Sequence, residues 1–135
     1  MAARGRHGAR RMLLQALYQW QVSGHELAEL RNQFASEPAF AGIDGDYFKE
    51  QLRFIVEGSA GLVESIAAAA DRPVEQLDPV ERAALWIGVA ELAGRPDVPT
   101  KVAINEAVEL AKEFGASDSH RYINAILDAV ASGRS

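Results

Sequence analysis

The chain has 135 residues, nearly half of them apolar and none of them cysteine, which fits one domain with a real core and excludes a disulfide framework or a thiolate metal site. Net charge is −5, which argues against a general nucleic-acid binder, yet Arg4, Arg6, Arg10 and Arg11 all precede the first acidic residue, Glu26. The opening segment is thus +4 and the remainder −9, so an acidic body should meet RNA only where this basic segment reaches it.

Residues 1–8, with Gly5 and Gly8, are expected to form a mobile basic arm. From Ala9 a helix follows, with Leu13, Ala16, Leu17 and Trp20 as its inward stripe. Arg10 and Arg11 crowd the start of that helix, where the backbone dipole disfavours cations, and Tyr18 projects away from the stripe. Both features suit a surface kept for partners. An arginine-rich, acid-free opening also fits a transit peptide or a solvated tail, but Ser23 is the only hydroxyl-bearing residue of the serine or threonine type there.

Ser23 and Glu26 can form a capping box for a second helix carrying Leu27, Leu30 and Phe34. Pro38 and Gly42 open a loop, and Asp46 then caps one long helix to about Ala70, with Gly58 and Gly61 as close-packing points or a bend. A short helical turn is expected over Val74 to Leu77. Asp78-Pro79-Val80-Glu81 reads as an N-cap, a first-position proline and a box partner. The helix it starts, to about Ala93, is apolar nearly all round and should be the buried centre.

The stretch DVPTKVAINEAVELAKEFGASDSHRYINAILD reads as two helices joined by a short turn. Asp97 is placed to cap the first, whose apolar face is Ile104, Ala107, Val108, Ala111 and Phe114, with Asn105, Glu109, Lys112 and Glu113 left for water. Gly115 supplies a left-handed C-terminal residue, and Ser117 or Asp118 caps the second helix, which turns Ile123, Ile126, Leu127 and Val130 inward. Arg121 points outward and Tyr122 falls on the flank, one turn from Asp118. A rim aromatic beside a guanidinium can stack an unpaired base and touch its phosphate; the same ring can also simply close the core.

No run alternates long enough for a strand, so the fold is all-α, a bundle of about seven helices counting the short one, in a single domain over 1–135. No apolar run approaches a membrane span. His7, His25 and His120 are scattered, no phosphate loop or dinucleotide fingerprint occurs, and the acid pairs Glu106/Glu109 and Glu109/Glu113 read as solvated. No metal, cofactor or catalytic constellation is expected.

DVPTKVAINEAVELAKEFG followed by SDSHRYINAILD resembles the signature of the NusB family of bacterial transcription antitermination factors, and ARRMLLQALYQWQ and DYF resemble that family too. Thr100 stands where the family often has Tyr, Arg121 for a common Lys, Tyr122 for a common Phe and Ala125 for a common Gly. The resemblance implies a cytoplasmic RNA-binding factor that pairs with NusE, a protein of the small ribosomal subunit. With it, the factor would bind boxA RNA in the transcription elongation complex and support transcription of ribosomal RNA operons. It places Arg6, Arg10 and Arg11 on phosphates and Tyr122 on a base, with Lys101 and Arg121 beside them and Asp118 next to the path. Tyr18 and Glu81 are the candidates for the protein partner, Glu81 having capping as its alternative role. Two other functions stay open: a protein-interaction module, in which a homodimer masks the arm, and an accessory domain of a ribosomal RNA methyltransferase. The second would need an α/β cofactor domain for which this chain leaves no room.

Overall fold

Helix α5 (Pro79–Gly94) is the element around which the others pack, as its composition dictates: Ala83, Ala84, Leu85, Ile87, Val89 and Ala90 are all buried. In the computed structural model, which describes residues 2–70 and 76–132 with side chains from Gly5 onward, it contacts α1 (Ala2–Ser23), α3 (Gly45–Glu57), α4 (Ser59–Ala69), α6 (Thr100–Phe114) and α7 (Ser119–Ala131). Helix α2 (Leu27–Ala35) lies on α1 and α3, and a 3-10 turn spans Pro38–Gly42. No strand occurs among the described residues. The all-α reading therefore holds, with seven α-helices among those residues.

The expected inward stripes form the core. Leu13, Ala16 and Leu17 of α1, Leu30 and Phe34 of α2, and Ile123, Ile126 and Leu127 of α7 are buried, and Trp20 packs against Trp86 with ring centroids 5.6 Å apart and planes tilted by 51°. Each fully buried leucine contributes about 1.5–3 kcal/mol over an exposed one. Helices α5, α6 and α7 meet at Gly88, where an added Cβ would lie 2.7 Å from a Leu127 methyl and 3.3 Å from the Ala107 Cβ. The missing side chain is what lets the three helices approach.

Several local expectations need correction. From Ala2 to Gly8 the expected arm is helix: α1 runs from Ala2, the Gly5 carbonyl accepts from the Asp44 N–H at 2.9 Å, and a Cβ on Gly8 would lie 2.8 Å from Ile43 Cγ2. The two glycines are there for close packing, one turn apart on one face. Arg10 and Arg11 consequently sit mid-helix, where the dipole penalty does not apply. Ser23 ends α1, its hydroxyl donating to the Gln19 carbonyl, and Glu26 occupies the N-cap of α2 without a side-chain cap. Asp44, not Asp46, caps α3 by accepting from the Tyr47 N–H at 3.1 Å.

The expected long helix breaks at Gly58 into α3 and α4, so the seven α-helices of the described residues do not include the short turn that the expected seven counted. The short turn expected over Val74 to Leu77 lies mostly outside the described residues. Pro99 rather than Asp97 occupies the N-cap of α6. Gly115 is extended at φ −96°, not left-handed; a Cβ there would meet the Ala111 carbonyl at 2.8 Å, so close approach again explains the glycine.

Candidate nucleic-acid interface

The capping box at the start of α5 forms as read: the Glu81 N–H donates to Asp78 at 2.8 Å and the Glu81 carboxylate accepts from the Asp78 N–H at 3.1 Å. Its second oxygen accepts from the Ser119 hydroxyl at 3.0 Å. Glu81 is buried and both its oxygens are used within the domain, which corrects its assignment to a protein partner. What it does is tie the start of α7, and hence Asp118, to the start of α5.

Arg10 needs the second correction. The sequence puts it at the centre of the phosphate-binding arginines, but it is 4% exposed. Its guanidinium forks onto Glu91, at 2.7 and 3.0 Å, and also donates to Glu106 at 3.0 Å. Tyr47 donates its hydroxyl to the same Glu91 carboxylate. Burial pulls the Arg10 pKa down, but the hydrogen bond and charge of Glu91 outweigh it, so the group stands above its ordinary value and stays charged. The Tyr47 phenol is pushed up, first by burial and then by the Glu91 charge. Glu91, the only charged residue of α5 after Arg82, was the available signal: a fully buried carboxylate demands a cation.

Arg6 and Arg11 keep a surface. Arg6 donates to Asp44 at 3.1 Å, reaches Asp97 at 3.8 Å and lies over the Tyr47 ring at 4.7 Å. Arg95 lies over the same ring at 5.4 Å and also holds Asp97. Arg6 borders a depression of about 280 Å³ floored by Val98, Pro99 and the half-exposed Val102 at the start of α6. Arg11 spans toward the other end of α6, donating to both oxygens of Glu113 at 2.9 and 3.1 Å with its guanidinium over Phe114 at 5.6 Å. Glu106 and Glu113, read as solvated, are thus partners of arginines on α1.

The remaining candidates fall at opposite ends of α6. Lys101 is exposed in its first turn, while Asp118 and Arg121 are exposed and Tyr122 half-buried on the core margin just after its last. The 13 residue steps from Lys101 to Phe114 span about 20 Å by helical rise. Asp118 sits at the N-cap position of α7 but makes no side-chain cap hydrogen bond. Tyr18 is 44% exposed, as its outward position required. It borders an apolar groove of about 240 Å³ with Leu14, Val80 and Phe114. Arg6 and Lys101 near one end of α6, and Arg11, Arg121 and Tyr122 near the other, can follow a nucleic-acid backbone along the helix.

The model of the NusB family matches residues 7–132 of the chain. Transcription antitermination protein NusB of Shewanella loihica is 46% identical over 125 residues, 93% of this chain and 93% of that protein. The protein of the same name from Shewanella pealeana is 47% identical over 123 residues, 91% of each. Among solved structures, NusB of T. maritima matches with a TM-score of 0.86 at 25% identity, covering 96% of this chain and 92% of that one. A crystal structure of antitermination factors NusB and NusE in complex with dsRNA matches with a TM-score of 0.86 at 26% identity, covering 96% and 97%.

Proposed function

The chain belongs to the NusB family, and from that premise we propose that it is a transcription antitermination factor, not an enzyme, that binds boxA RNA together with NusE. The carrying observation is the agreement of the whole fold with a family structure described in complex with NusE and RNA. The factor acts in the cytoplasm, within the transcription elongation complex, on ribosomal RNA operons. Arg6 and Arg11 take phosphates, Tyr122 stacks a base, and Lys101 and Arg121 extend the binding path at its two ends. Asp118 borders the path. Tyr18 and its apolar groove take the protein partner, and Glu81 acts by holding α7 in place beside them.

Charge placement supports this reading over a general polyanion binder. The body is acidic, so affinity must come from a few placed guanidiniums and one ring, the pattern of a protein that reads unpaired bases while gripping the backbone. The related structure holds double-stranded RNA, and a duplex offers phosphates without free base faces. The test is a titration of the chain with single-stranded boxA-like RNA, with a duplex and with a scrambled strand, each with and without NusE at two salt concentrations. The expected result is preference for the boxA strand, strengthened by NusE. Equal affinity for all three RNAs in the presence of NusE would overturn the reading.

A further inference from the structure

Among the described side chains, the two surface-reaching arginines of α1 each hold a carboxylate of the domain itself. Arg6 has Asp44 and Asp97, and Arg11 has Glu113. The pairs differ in how exchangeable they are. Asp44 is committed to capping α3, whereas in the Arg11–Glu113 pair both side chains are about two-fifths exposed, at 44% and 39%.

Glu113 is also oddly placed for a residue serving helix stability. It lies in the last turn of α6, where exposed carbonyls disfavour an anion. Its neighbour Phe114 supports Arg11 from below, so the guanidinium is fixed over a ring with its edge on Glu113. Glu113 takes the Nε and Nη2 donors of Arg11, so a phosphate seeking that edge meets a resident carboxylate, which uses the planar fork as a phosphate would.

We infer that Glu113 attenuates RNA binding: a resident carboxylate that neutralises Arg11 and holds its Nε–Nη2 edge, which a phosphate takes only by displacing it. This rests on the proposed binding of RNA by Arg11. Exposed ion pairs hold loosely, so the competition is mild and the site stays usable. Its effect is to lower the affinity of every strand that engages Arg11.

The test compares four variants of the full chain by titration with single-stranded boxA-like RNA at low salt: Glu113→Gln, Glu109→Gln, Arg11→Ala and the double variant Arg11→Ala/Glu113→Gln. Glu109→Gln removes the same charge one turn away and frees Lys112, which Glu109 holds at 3.3 Å, so it is a stringent control for general electrostatics. Glu113→Gln is expected to tighten binding about two- to fivefold, more than Glu109→Gln. In the Arg11→Ala background the same change should give no more than the control, because Glu113 acts through Arg11. A gain from Glu113→Gln no larger than that from Glu109→Gln, while Arg11→Ala still weakens binding, overturns the inference and leaves Arg11 on the RNA path. Undiminished binding by Arg11→Ala takes Arg11 off that path and removes the inference with it.

Discussion

Arg10 of α1 and Glu91 of α5 meet in the interior through two N–H···O hydrogen bonds of 2.7 and 3.0 Å, with Tyr47 of α3 donating to the same carboxylate. Three helices are joined at one buried charge pair, directly beneath the surface from which Arg6 reaches out. Burying such a pair gives little net stability, but removing one partner strands the other in a medium that cannot solvate it. Arg10→Ala is therefore expected to destabilise the domain by about 3–5 kcal/mol. Urea unfolding measures this directly, and a loss below about 1 kcal/mol would show that Glu91 finds other solvation. Arg10→Lys should recover only part of the loss, since an ammonium cannot fork onto both oxygens.

The contrast between Arg10 and its neighbour Arg11 shows what could be read from the chain. Helical periodicity identifies the stripes of α1, α5, α6 and α7, because burial of apolar side chains is a property of each helix and is written every three or four residues. It does not identify which arginine of an adjacent pair turns inward, because that depends on Glu91, far away in the chain. Gly5 and Gly8 are ambiguous for the same reason: glycine marks a flexible arm or a close approach, and only the presence of Ile43 and Asp44 decides. Tyr18 and Tyr122 are legible, since outward and flanking positions follow from the angle per residue alone.

Surface arginines should control the salt response. Arg6→Ala with Arg11→Ala is expected to weaken RNA binding and to flatten the dependence of log affinity on log salt, by roughly 0.7 per single-strand phosphate that is no longer neutralised. The fold should persist, since neither guanidinium is fully buried. A slope unchanged from the parent would remove both residues from the phosphate path.

Tyr18 separates partner binding from folding. Its ring is largely on the surface beside the groove of Leu14, Val80 and Phe114, so Tyr18→Ala should leave thermal stability nearly unchanged while weakening association with NusE. Calorimetric titration with NusE checks this, alongside a melting curve. Intact association would move the partner site to another face.

Asp44 should shape the acid limb of stability. Its pKa is held below the ordinary carboxylate value, first by the Tyr47 N–H, against burial, and then by Arg6. A depressed folded-state pKa means stability that is present above the unfolded value, near pH 4, and lost as pH falls through the folded one. Asp44→Asn keeps a capping oxygen but has no charge to lose. Its melting temperature should start below the parent's at neutral pH and converge on it below about pH 4. Parallel curves across that range would mean that the charge of Asp44 contributes nothing.

Tyr122 and Asp118 test whether RNA crosses the start of α7. Tyr122 is packed on the core margin with its hydroxyl buried and the residue only partly exposed, so a stacked base would lie on the part of the ring left open. Tyr122→Ala should cost about 1–3 kcal/mol of RNA binding, and Tyr122→Phe little, because the π-face is kept. Tyr122→Ala also removes packing, so its stability must be measured beside its affinity. Asp118 offers the cleaner comparison: it is exposed and caps no N–H with its side chain, so Asp118→Asn should leave stability unchanged. It removes a negative charge one turn from Tyr122 and three residues from Arg121, so an approaching phosphate meets less repulsion. RNA affinity should rise, most at low salt, where screening is weakest, and the gain should shrink as salt is added. Weaker binding by Asp118→Asn, or a gain that ignores salt, would mean that the RNA passes elsewhere and that Tyr122 serves only the core.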